Sequence, residues 1–131
     1  MTRIESQKVK INKPASEVYA FLSDFNNFQK LMPEQVVDWI STADECSFKI
    51  KGMASLGMRI EKRNPPTEVV IVANGKVPFD FKMSCLITDD SDVGATARLI
   101  FEADLNPFLK MMAEKPLTNF VELLAEKMKN I

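Results

Sequence analysis

Six methionines, Met32, Met58, Met83, Met111, Met112 and Met128, lie in or beside apolar patterns, and Phe48, Phe81, Phe101 and Phe120 recur among them. An unbranched, polarizable thioether adapts its shape to its neighbours, so such a set suits a pocket for a flexible apolar molecule. Taken one residue at a time, plain core filling is the commoner role. The polar candidates are sparse. Arg59 and Arg98 stand in strand-like runs and could meet a carboxylate or phosphate head group, but alternation sends both toward water. Asp38, Asp80 and Asp104 could serve as a base if buried, although general acid–base work needs a shifted pKa and a positioned partner. Tyr19 could donate a phenolic hydrogen bond, yet it neighbours the polar face of its segment and reads as a semi-exposed packing residue.

The chain contains no histidine. That removes Ser-His-Asp and Cys-His catalysis and the usual imidazole base. It also removes most zinc and iron sites, because Cys46 and Cys85 alone do not make a ligand set. Asp89, Asp90 and Asp92, ending at Gly94, look like part of a calcium loop, but no acidic residue stands at the position of the bidentate twelfth ligand. A solvated hairpin tip is the better reading. No catalytic residue, metal or cofactor is therefore expected.

The elements that must position these groups follow from periodicity. Residues 3 to 12 read as a first strand, with Val9 and Ile11 on one face and Lys8 and Lys10 on the other. Asn12-Lys13-Pro14 opens a helix, where Pro14 suits the first turn. Val18, Phe21, Leu22 and Phe25 recur at helical spacing. Asp24 to Asn27 is a break with Asn side chains suited to a cap, and Phe28, Leu31 and Met32 give a short stripe that Pro33 stops. A meander of five or six strands follows. Val36 to Thr42 contains Trp39; Cys46 to Lys51 points Phe48 and Ile50 inward; Leu56 to Glu61 alternates again. Asn64 to Thr67 is a turn. Val69 to Ala73 leads to Asn74-Gly75, a dipeptide suited to a type I′ hairpin. Phe79 to Cys85 is the clearest alternation, and Thr96 to Asp104 sets Ala97, Leu99, Phe101 and Ala103 on one face.

The period then changes to helical. Asn106-Pro107 supplies a cap and first position. Pro116 predicts a short helix before it and a longer one after it, the latter with Leu117, Phe120, Val121, Leu124 and Met128 as its stripe. The span Asn106 to Met112 places several large apolar groups close together. It reads equally as a lid, a dimer contact or a helix packed flat on the sheet's mouth.

At 131 residues the chain is read as one domain, 1–131, large enough for a real core. A net charge of −1 leaves no basic surplus to favour nucleic acid. No apolar run approaches the roughly 20 residues that span a bilayer, and the opening Met-Thr-Arg-Ile-Glu-Ser-Gln-Lys has no apolar signal region. The expected location is cytoplasmic, with Cys46 and Cys85 as reduced core thiols; a disulfide stays open.

The opening Ile11-Asn12-Lys13-Pro14-Ala15-Ser16-Glu17-Val18-Tyr19-Ala20-Phe21-Leu22-Ser23-Asp24, and the order of elements after it, resemble the START-like and Bet v 1-like helix-grip superfamily. That superfamily includes polyketide cyclases, lipid-transfer domains and coenzyme Q-binding proteins. The resemblance implies an α+β helix-grip fold. A curved antiparallel sheet of six to seven strands would wrap a long C-terminal helix, with two short helices after the first strand. It also implies a deep apolar cavity between sheet and helix, walled in part by residues 14 to 32. Two departures stand out. Asp44-Glu45 replaces the glycine-rich loop of the plant branch, and no histidine is present for cyclase-type chemistry.

The expected function is binding of a hydrophobic small molecule, a lipid, isoprenoid quinone or polyketide-like compound. The expected wall is Leu31, Met32, Trp39, Phe48, Ile50, Met58, Phe81, Met83, Leu99, Phe101, Phe120 and Leu124. Two alternatives stand beside it. One is a cyclase or dehydratase acting on a polyketide-like substrate without histidine. The other is a protein-interaction module with a closed core, with a homodimer among its possible forms.

Overall fold

The alternation of small and large apolar residues with polar ones sets the sheet. The computed structural model describes residues 1–91 and 94–131. Among these, eight strands form one antiparallel sheet: β1 Thr2–Glu5, β2 Val9–Ile11, β3 Val36–Ser41, β4 Glu45–Ile50, β5 Ala54–Asn64, β6 Glu68–Ala73, β7 Phe81–Asp89 and β8 Ala95–Ala103. The spatial order is β1-β8-β7-β6-β5-β4-β3, with β2 also on β8. On β8, Ala95, Ala97, Leu99, Phe101 and Ala103 are all buried while the residues between them are half-buried. On β7, Phe81, Met83, Cys85 and Ile87 are likewise buried.

Two short helices, α1 Ala15–Leu22 and α2 Phe25–Phe28, and a 3-10 turn Gln29–Leu31 follow β2, and α3 Pro107–Met128 ends the fold. Helix α1 packs on β6, β7 and β8, while α3 crosses β8, β1 and β2 and touches the 3-10 turn. Three of the five inward residues of β8 are alanines, which keeps this strip of the sheet low where the helices cross. The result is the helix-grip arrangement. Among the described residues no helix is long and apolar enough to cross a membrane.

Several local features depart from the reading of the sequence. The first strand is divided in two, which brings the strand number to eight. Ser6 interrupts it: its N–H donates to the Leu99 carbonyl at 2.8 Å and its hydroxyl oxygen accepts from the Leu99 N–H at 2.8 Å. A side chain thus replaces a backbone carbonyl in the ladder, and the chain bends around it. The first cap of α2 is Asp24, whose carboxylate accepts from the Asn26 N–H at 2.9 Å. Asn26 and Asn27 lie inside the helix instead.

Asn74-Gly75 does not form a two-residue hairpin. The connection runs from Asn74 to Asp80, and of the two only Gly75 has a positive φ, at 73°. The Asn74 N–H donates to the Gly57 carbonyl at 2.9 Å, so the chain keeps pairing with β5 instead of turning. Pro116 does not break α3, which runs unbroken for 22 residues. The forfeited hydrogen bond costs about 3 kcal/mol. Against it stand buried contacts on both sides of the proline, with Ala113 before it and Leu117, Phe120 and Val121 after it. The aspartate loop weighed above includes Asp92, which lies outside the described residues.

β3 carries a bulge. Val37 lies opposite Lys49 but Ile40 lies opposite Ser47, so Asp38 and Trp39 together face Phe48. Asp38 takes up the extra residue at φ 58°, a left-handed conformation that costs a non-glycine residue about 1–3 kcal/mol.

A Cβ added at Gly57 would lie inside contact distance of the Asn74 carbonyl oxygen, which is backbone and cannot swing away. Gly57→Ala is expected to lower stability by about 1–3 kcal/mol, the usual effect of overpacking. The measurement is the urea midpoint at unchanged m-value; a midpoint equal to that of the wild type would show the β5–loop contact to be loose.

Candidate functional site

The gap between the sheet's open edge and α3 is where an apolar interior reaches the surface. Here the connection from the 3-10 turn to β3 delivers Pro33 and Gln35, the end of β4 delivers Ile50 and Lys51, and the middle of α3 delivers Lys115, Pro116, Asn119 and Phe120. Pro116, Asn119 and Phe120 share one face because residues three and four apart on a helix are neighbours. Together these residues bound a cavity of about 240 Å³. Lys127 ties the same wall together, donating from Nζ to the Met32 carbonyl at 2.9 Å.

The interior behind this mouth is filled with rings. Phe120 stacks on Phe48 with centroids 6.0 Å apart, and Phe48 stacks on Trp39 at 5.2 Å. A second group lies farther along the sheet, where Phe81 stacks on Phe101 at 5.3 Å and meets Phe79 edge-on. Such offset or edge contacts contribute about 0.5–1.5 kcal/mol beyond the area they bury. The cavity is thus smaller than the 300–1,000 Å³ typical of small-molecule sites. It is a mouth, with the aromatic stack as its inner wall.

Of the twelve expected wall residues, Ile50 and Phe120 border this mouth directly. Phe48 and Trp39 continue from Phe120 through the stack, and Leu124 is buried one turn farther along α3. Leu31 is buried and Met32 half-buried beside it at the 3-10 turn. Met58, Met83, Leu99, Phe81 and Phe101 are buried on the inner face of the sheet, away from the mouth. Pro33, Gln35, Lys51, Lys115, Pro116 and Asn119 complete the border without having been singled out for it. The signal for the helical half was present, since Pro116 and Asn119 stand at the spacing that places them beside Phe120.

The polar candidates lie elsewhere. Asp38, Asp80 and Asp104 are exposed, as is Arg59. Arg98 pairs with Glu5 at 3.0 Å. A hollow of about 380 Å³ on the sheet's outer side gathers Arg59, Glu61, Lys82 and Glu102, charged groups that suit water more than an apolar ligand. On α3, Phe108, Met111 and Met112 are 63%, 78% and 59% exposed. This first turn therefore does not pack flat on the sheet.

The buried titratable side chains among the described residues are Cys46 and Cys85, both free thiols. Burial pushes each up to about 12 from an ordinary 9.0; a backbone hydrogen bond with Met58 partly opposes this at Cys46, and the Glu68 charge adds to it at Cys85.

With this geometry in view, the fold can be placed among known ones. The di-domain ARO/CYC BexL from the BE-7585A biosynthetic pathway superposes with a TM-score of 0.73 at 15% identity, over 99% of this chain and 46% of that one. This chain thus spans about half of that protein. A protein from Thermus thermophilus gives 0.72 at 12% identity, over 98% of this chain and 95% of that one. A START superfamily protein from Mycobacterium smegmatis gives 0.67 at 11%, over 98% and 97%. At these identities the likeness is one of fold, the Bet v 1-like helix grip. A family model, "Polyketide cyclase / dehydrase and lipid transport", matches residues 1–130, and the chain belongs to that family. No curated protein gives a significant sequence match.

The thiols generate a pH test. The unfolded chain releases their protons near 9.0 while the folded chain holds them to about 12. In that interval the folded state binds more protons, so stability is complete below pH 9 and falls as pH rises toward 12. Each thiol contributes a slope of up to about 1.4 kcal/mol per pH unit. In urea unfolding at about pH 8 and about pH 10.5, Cys85→Ala is expected to lose less stability between the two than the wild type. Equal losses would show that the Cys85 thiol is not the titrating group.

Proposed function

We propose that this chain binds an apolar small molecule, a lipid, isoprenoid quinone or polyketide-like compound, in the gap between its sheet and α3. The single observation that carries this reading is the mouth itself. Pro33, Ile50, Pro116 and Phe120 give an apolar lining to a hollow of about 240 Å³ beside the middle of α3, where the aromatic stack begins. The family's description, which joins lipid transport to cyclase and dehydrase chemistry, supports the same class of ligand.

Affinity would come from burial, at roughly 25 cal/mol per Å² of apolar surface. A ligand hiding about 250 Å² would gain about 6 kcal/mol before the entropic cost of association is subtracted. About 6 kcal/mol corresponds to a Kd of roughly 40 μM, and the cost of association only weakens it, so binding no tighter than tens of micromolar follows. The wall would be the expected set from Leu31 to Leu124, with the sheet residues Met58, Met83, Leu99, Phe81 and Phe101 forming its deep end. Binding is favoured over cyclase or dehydratase chemistry because such chemistry needs an acid or hydroxyl at the cavity. The polar border here is the amides of Gln35 and Asn119 and the lysines Lys51 and Lys115, whose side chains are exposed to solvent instead of enclosed with a ligand. The unpaired thiols fit a reducing compartment, and we place the protein's work in the cytoplasm as a single domain.

N-phenyl-1-naphthylamine, whose fluorescence rises in apolar surroundings, is the probe. It is expected to bind saturably, and Asn119→Trp, which fills the mouth from an exposed helical position, is expected to weaken it at least about tenfold while leaving the melting temperature within about 3 °C. Arg59→Trp, on the outer hollow, should change nothing. Absence of saturable binding, or equal loss in both variants, would defeat the reading.

A further inference from the structure

We propose that Trp39 is the ligand-directed hydrogen-bond donor of this site, its indole N–H receiving a carbonyl or similar oxygen carried by an otherwise apolar ligand. This rests on the binding reading above and sharpens it to a ligand class: apolar, flat enough to lie along rings, and bearing an oxygen acceptor.

Three observations converge. The first is register. With Val36 opposite Ile50 and Val37 opposite Lys49, an unbroken β3 would set Asp38 opposite Phe48 and face it inward, leaving Trp39 outside. Opposed residues of an antiparallel pair share a face. The bulge exchanges them. Asp38 absorbs the extra residue in a left-handed conformation and is exposed, while Trp39 takes the place opposite Phe48 and stacks on it. The ladder returns with Ile40 opposite Ser47, and Ile40 points outward at 72% exposure. Bulges re-aim side chains, often beside active sites, and this one carries a strained non-glycine residue to do so.

The second observation is the donor itself. Among the described residues, the indole Nε1 of Trp39 is the buried side-chain polar atom that has no hydrogen-bond partner. Tyrosine and tryptophan usually find a partner when buried, and an orphaned donor is unfavourable until one arrives. A bulge whose sole effect was packing would have been served by a phenylalanine, which leaves nothing unsatisfied.

The third is position. Trp39 is joined through Phe48 to Phe120, and Phe120 borders the mouth. The donor therefore stands at the β3 end of the ring stack that begins at the opening, on a half-buried side chain whose Nε1 is itself covered. Because Nε1 is sealed from solvent, a ligand reaches it only as a ring of the stack turns aside. The oxygen then lies at the β3 end of the stack, with the apolar remainder toward Ile50 and Pro116.

The chain has one tryptophan, so its indole gives a single cross-peak in a ¹H–¹⁵N spectrum. The probes are 2-acetylnaphthalene and 2-isopropenylnaphthalene, which share a shape and differ by a carbonyl oxygen in place of a methylene. In the wild type the ketone should bind about tenfold more tightly by calorimetry, the ratio a single buried hydrogen bond supplies. It should also move the indole proton downfield, while the alkene should leave it nearly in place. In Trp39→Phe, which keeps a ring for Phe48 to stack on, the two affinities should converge through a loss on the ketone alone. Equal wild-type affinities, an indole peak unmoved by the ketone, or a preference that survives Trp39→Phe would each overturn the assignment while leaving the binding site intact. If neither probe perturbs any amide in the wild type, the binding reading falls and this inference falls with it.

Discussion

Helix α3 has to hide an apolar stripe on the concave side of the sheet while carrying a proline near its middle, and the rest of the molecule is arranged around that requirement. Ala113, Leu117, Phe120, Val121, Leu124, Ala125 and Met128 are all buried. Each large side chain among them contributes about 1.5–3 kcal/mol by leaving water, so together they outweigh the roughly 3 kcal/mol forfeited at Pro116. The balance is uneven along the helix. Beyond Pro116 the stripe is dense. Before it, the helix is held chiefly by Ala113 and by the Asn106 cap, whose side-chain oxygen accepts from the Leu109 N–H at 2.8 Å. The first turn is therefore the part least bound to the sheet, which is where Phe108, Met111 and Met112 stand exposed.

The same requirement shapes the sheet. A helix can settle only where the floor is low, and β8 provides alanines at 95, 97 and 103. The helix lies chiefly on β8, β1 and β2 at one end of the strand order, and it reaches toward the other through the Phe120–Phe48 stack. At one end β1 and β2 share β8, and Ser6 makes the sharing possible by entering the ladder with its hydroxyl. At the other end β3 is an edge strand. Its bulge is tolerated there because an edge has no second ladder to disrupt.

What could be read from the residues alone was whatever depends on a regular period. The alternations of Phe81 to Cys85 and Ala97 to Ala103, the inward Phe48 and Ile50, and the Asn106-Pro107 helix start all depend on a side chain's own position in a repeat. The features that escaped depend on a partner elsewhere in the chain. Ser6 breaks a strand because Leu99 is beside it, Asn74 fails to turn because Gly57 holds it, and Asp38 loops out because Phe48 is better faced by Trp39. Pro116 misled for the opposite reason: its local effect is real, but burial on both sides of it is larger. That the residues expected at the wall are apolar and lie inward was visible as a class. Their division into a mouth of Ile50 and Phe120 and a packed interior was not, since it turns on how rings meet in space.

That packed interior bears on how such a site would discriminate. A ligand that fits the 240 Å³ mouth as it stands gains only its own burial. A larger one has to turn Phe120 or Phe48 aside, and the apolar area the ring loses is area the ligand regains, so the exchange is close to neutral in hydrophobic terms. Apolar surface then sets a baseline that many greasy molecules share. Selection falls to whatever the interior leaves unsatisfied, because satisfying a buried donor is a gain that a purely apolar competitor cannot match. In an interior whose titratable groups are two thiols held neutral up to about 12, discrimination rests on neutral hydrogen bonding and shape more than on charge.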